Sequence, residues 1–80
     1  MRRYTVNTLR RERLADQLVA AYVEWRDTCA RVSDTYRSWA SDTSPAARIG
    51  FGLYMAALDD EEQAAEAYAG LVRRFDKGWP

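Results

Sequence analysis

Residues 25–39 read Trp-Arg-Asp-Thr-Cys-Ala-Arg-Val-Ser-Asp-Thr-Tyr-Arg-Ser-Trp. Trp25, Cys29, Val32, Tyr36 and Trp39 follow one another in alternating steps of four and three. An α-helix turns about 100° per residue, so this spacing returns to one face at every turn. Apart from Ala30, the residues between these positions are small, polar or charged. The stripe continues upstream through Tyr22, Leu18 and Leu14, and neither Gly nor Pro interrupts residues 9–39. A heptad seam of this kind suits left-handed, nearly antiparallel packing on another helix. The opposite face, with Glu12, Asp16, Asp27, Asp34 and Arg37, is expected in solvent.

The segment therefore reads as a helix over about residues 9–40, with Thr5, Asn7 or Thr8 as capping candidates before it. A break follows at Ser41-Asp-Thr-Ser-Pro-Ala-Ala-Arg48. Ser44 offers a capping hydroxyl, and Pro45 suits a first helical position, where its missing N–H costs nothing. This predicts a turn at about 41–44 and a second helix over about 45–75. Gly50, Gly52 and Gly70 soften that helix, and Asp76-Lys77-Gly78 stops it. Two long helices with a short connection make an antiparallel hairpin. The fold class expected is all-α, with residues 1–80 forming one helical-hairpin domain.

The second helix carries more apolar surface than one partner covers. Ala47, Phe51, Tyr54, Leu58, Glu61, Ala65, Tyr68, Val72 and Phe75 form a four-three seam matching the first. A second apolar set, including Ile49, Leu53, Ala57, Ala64 and Leu71, lies beside it. Together they span more than about 200° of the wheel, whereas one packed helix covers roughly a third of it. A second copy is the simplest cover, giving a homodimeric four-helix bundle. A different helical protein is the other partner considered. The expected interface is Ile49, Leu53, Ala57, Ala64 and Leu71, with Trp39 at the end of the first stripe. A charged residue at Leu53 or Leu71 should then break the assembly.

Composition narrows the function. The 80 residues contain no histidine and a single cysteine, Cys29. The usual general base, an internal disulfide and a Cys-based metal site are thereby missing. Serine and threonine hydroxyls find no histidine to activate them. Asp59, Asp60, Glu61, Glu62 and Glu66 form a carboxylate cluster, but bundle di-iron sites pair Glu with His, so a solvated acidic face is the plainer reading. Glu61, inside the seam, is expected to meet an arginine or solvent. Cys29 reads as a small buried hydrophobe. No enzyme activity, cofactor or metal is expected. No apolar run is long enough for a membrane span and no apolar segment follows the basic start, so a cytoplasmic setting is expected. Eleven arginines, one lysine and thirteen alanines suggest a GC-rich, actinobacterial-like genome.

Twelve basic residues balance twelve acidic ones, yet their placement is uneven. An antiparallel hairpin gathers Arg2, Arg3, Arg10, Arg11 and Arg13 near Arg73, Arg74 and Lys77 at the pole where the chain ends meet, with Arg10, Arg11, Arg73 and Arg74 the expected contacts. That pole is a candidate footprint for nucleic acid or another acidic partner. Trp39-Ala40-Ser41, just before the turn, resembles the W-x-G secreted helical hairpins of Gram-positive bacteria. That resemblance implies a small all-helical dimer. Ser41 stands where that motif has glycine, and no Tyr-x-x-x-Asp/Glu signal lies near the end of the sequence. The principal expectation is a non-catalytic protein–protein interaction or adaptor protein that self-associates.

Overall fold

The computed structural model describes residues 6–77. They form a helical hairpin of α1 (Val6–Ala40) and α2 (Ala47–Lys77). α1 starts before Leu9, so Asn7 and Thr8 lie within it, and Thr5 falls outside the described residues. Its end tightens where the Ser41 N–H donates to the Arg37 carbonyl at 3.1 Å and the Asp42 N–H donates to the Trp39 carbonyl at 3.1 Å.

The connection is held by its own polar groups. Asp42 Oδ1 accepts from the Ser44 N–H at 2.8 Å and from the Ser44 hydroxyl at 2.6 Å. Ser44 Oγ in turn accepts from the Ala46 N–H at 3.2 Å. Pro45 and Ala46 form a turn, and α2 begins at Ala47, two residues beyond the expected proline start. The reason is local: Ala47 and Ile49 first bond three residues back, to Ser44 and Ala46, before Gly50 bonds four back to Ala46.

The helices meet along one row each. On α1 the row runs Leu14, Leu18, Ala21, Trp25, Thr28, Val32, Thr35 and Trp39, all half-buried or buried, with Ala15 and Cys29 half-buried beside it. On α2 it runs Ala47, Gly50, Tyr54, Ala57, Glu61, Ala64, Tyr68, Leu71 and Phe75, with Leu58, Ala65, Ala69, Gly70 and Val72 half-buried beside it. Trp25 stacks on Tyr68 and Trp39 stacks on Tyr54, both with ring centroids 5.7 Å apart, which fixes the antiparallel register.

This seam is broader than the expected one on both helices. Trp25, Val32 and Trp39 face α2 as expected, as do Tyr54, Glu61 and Tyr68 on α1's side. Cys29, Leu58, Ala65 and Val72 are half-buried as expected, but the deepest burial shifts to Thr28 and Ala57 in a neighbouring row with Ala21, Thr35, Gly50, Ala64 and Leu71, and Tyr22, Tyr36 and Phe51 lie at the edge, exposed although their rings touch the other helix. The cause is size. Small residues facing small residues let the backbones approach, and a Cβ added at Gly50 would sit 3.6 Å from Trp39 Cα. The larger side chains are displaced to one flank of the contact. Thr28 and Thr35 fit this apolar row because their hydroxyls bond their own helix, Thr28 to the Trp25 carbonyl at 2.6 Å and Thr35 to the Arg31 carbonyl at 2.8 Å.

The hairpin is a rod of 68 × 20 × 12 Å with a radius of gyration of 18.6 Å. A compact chain of this length has a radius of gyration of about 12 Å. Among the described residues only Ala57 and Thr28 are buried, at 3% and 5% exposure.

Candidate functional site

Three surfaces flank or cap the seam. The first is aromatic. Tyr22, Cys29 and Tyr36 on α1 and Phe51, Leu58, Ala65 and Val72 on α2 share one flank, and Met55 and Ala69 border it. Tyr22 and Tyr36 keep 44% and 48% of their surface, and Phe51 and Met55 each keep 43%.

This flank carries one arrangement twice. Tyr22 meets Trp25 edge-on at 6.0 Å and tilts against Tyr68 at 5.6 Å, while Trp25 stacks on Tyr68 with 10° between planes. Fourteen residues further along α1, Tyr36 meets Trp39 edge-on at 6.0 Å and tilts against Tyr54 at 5.4 Å, while Trp39 stacks on Tyr54 with 8° between planes. Phe51 extends the second triad, 5.1 Å from Trp39. The sequence signal is Tyr-x-x-Trp, present at 22–25 and again at 36–39. The four-three spacing puts both tyrosines in a stripe expected as core, whereas each keeps nearly half of its surface.

The opposite flank is polar. Arg31 and Asp60 bridge the helices at 3.2 Å, each side chain about half exposed. Glu24, Thr28, Gln63, Ala64 and Ala67 complete a shallow groove around them. An exposed bridge of this kind contributes little, on the order of 0–1 kcal/mol.

The residues expected to form a partner interface are divided by this arrangement. Ala57 is buried inside the hairpin, and Ala64 and Leu71 are half-buried in the same seam. Ile49 and Leu53 remain exposed, at 69% and 59%, on the side of α2 away from Phe51. Trp39 is half-buried against Tyr54 and Phe51. Glu61 is half-buried and so keeps part of its expected solvent contact, and its Oε2 accepts the Trp25 indole N–H at 2.8 Å. Cys29 is half-buried on the aromatic flank.

The third surface is a cleft of about 660 Å³ at the open end of the hairpin, lined by Arg10, Arg11, Arg13, Leu14, Gln17, Arg74 and Phe75. Arg10, Arg11, Arg13 and Arg74 of the expected pole thus come together, while Arg2 and Arg3 lie outside the described residues. Arg73 does not line the cleft. It points along α2 towards Gly70, with Nη2 3.8 Å from the position of a Cβ there.

Among the described residues no group of three His, Cys, Asp or Glu could hold a metal ion. No described helix is long and apolar enough to cross a membrane. No known protein family matches this chain, and neither does any curated protein or solved structure.

Proposed function

We propose that this protein is a non-catalytic interaction module, a helical hairpin that associates with a second copy of itself as a four-helix bundle. One observation carries the reading. The hairpin leaves Tyr22, Tyr36, Phe51 and Met55 with 43–48% of their surface exposed while the deepest burial in its own seam goes to the small residues Ala57 and Thr28. Two helices with so small a core have little to offset the entropy of ordering the chain. Covering the apolar flank supplies the missing burial, at about 25 cal/mol per Å² of apolar surface. The absence of histidine from the whole chain supports a role outside acid–base catalysis. Sedimentation equilibrium tests the reading: the expected mass is twice 9.2 kDa. A monomer at micromolar concentration contradicts it.

The arginine cleft favours a second reading, the binding of an acidic partner. Four guanidinium groups surround one concavity with Leu14 and Phe75 as its apolar part. Binding to a single-stranded oligonucleotide should weaken steeply between low and moderate salt as the entropy gained by releasing counterions falls. It should fall further in Arg10→Gln/Arg74→Gln, and Arg73→Gln should change it least. Salt-independent binding, or none, removes this reading.

A further inference from the structure

We infer that the second copy docks on the aromatic flank end over end, with the two-fold axis crossing α1 at Cys29 and α2 beside Glu61 and Glu62. This rests on the self-association reading and specifies its face and symmetry. In a two-fold interface each patch must complement itself, so that residue i of one protomer meets residue j of the other and j meets i. The aromatic flank has that property along its length. Tyr22 and Tyr36 are equidistant from Cys29, and Tyr54 and Tyr68 are equidistant from Glu61. The two triads have the same ring geometry, so turning the hairpin end over end lays each on the other's counterpart. At the border, Met55 and Ala69 exchange places about Glu62.

Charge at the two ends of the interface fits this orientation, with Glu62 meeting its own copy on the axis as the one like-charge contact along this border. Arg48 and Asp76 lie on the border of α2, at equal distances either side of Glu62. End-over-end docking brings Arg48 of each protomer to Asp76 of the other at both ends of the interface. A two-fold axis along the helices would instead set α1 on α2; in the register that places Arg48 at Ala40, Glu62 meets Arg26 but Asp76 meets Glu12, so each ion pair is offset by a like-charge contact. The polar flank shows no comparable symmetry: its apolar residues Ile49 and Leu53 sit at one end only.

The area agrees. The chain exposes 6431 Å². A compact protein of this mass exposes about 4,900 Å², so the excess is about 1,500 Å². Obligate homodimers bury about 1,000 Å² or more per partner.

The test places thiols at the two ends of the interface. In a Cys29→Ala background, Arg48→Cys/Asp76→Cys is treated with a short bis-maleimide, and its solution mass is measured separately without the reagent. The two introduced thiols of one chain are about 42 Å apart along α2, too far for a short linker within one molecule. The expected result is a dimer by mass, a covalent dimer after treatment, and a linkage between positions 48 and 76 on peptide mapping. Either single variant should give no covalent dimer, because each thiol meets the other end of its partner. A dimeric mass without the linkage, or covalent dimers from a single variant, overturns the end-over-end arrangement and leaves self-association standing. A monomeric mass in both this variant and the unmodified protein overturns both.

Discussion

The residues that decide this structure are small ones with their polar groups satisfied locally. Thr28 is 5% exposed, yet its hydroxyl donates to the Trp25 carbonyl one turn back, so that hydroxyl is not orphaned in the seam. The turn works the same way. The Ser44 hydroxyl, and then its backbone N–H, hold the Asp42 carboxyl below its ordinary pKa. A carboxylate lowered in this way contributes stability above its unfolded pKa of about 3.9 and loses it as pH falls through the folded value. Asp42→Asn keeps an acceptor oxygen but does not titrate. Thermal melts from neutral pH down to about pH 2 should therefore show the parent losing more stability than Asp42→Asn below about pH 4. Parallel curves would show that the Asp42 charge plays no part in closing the turn.

At the level of the helices, a four-three apolar pattern has two solutions. Leu18, Trp25, Val32 and Trp39 can be completed by Tyr22, Cys29 and Tyr36 or by Ala21, Thr28 and Thr35, and both choices keep the spacing. Hydrophobicity favours the first, and close packing selects the second. The hairpin, its break near Pro45 and the shared seam residues were therefore legible in the sequence. The flank left uncovered was not, because sequence spacing does not say how closely two backbones approach. The same ambiguity on α2 hid Ala57 and Ala64 inside the hairpin and exposed Phe51. The choice of row predicts a contrast between two alanines. Ala57→Leu overpacks the seam and should cost about 1–3 kcal/mol. Ala67→Leu, exposed on the polar flank, should stay within about 0.5 kcal/mol of the parent. Urea unfolding compares them, and equal costs would mean that Ala57 does not face α1.

For the whole molecule, shape and surface chemistry lead to the same place. A rod 68 Å long and 12 Å thick is one layer of two helices, and a layer with one apolar flank needs a second layer. The aromatic flank supplies the broad apolar side, the Arg31–Asp60 bridge marks the wet side, and the arginine cleft sits at the open end. The sequence pattern alone points to a second layer on the Ile49 and Leu53 side of α2, whereas the proposed docking face is the aromatic flank. The same pattern shows the basic pole, because that needs only the antiparallel topology. The two flanks are separated most directly by sedimentation velocity on the parent, Phe51→Glu and Leu53→Glu at matched concentration. A dimeric parent, a Phe51→Glu variant that is helical but monomeric, and a Leu53→Glu variant that stays dimeric are the predicted results. A dimer that survives Phe51→Glu and dissociates with Leu53→Glu would contradict the account.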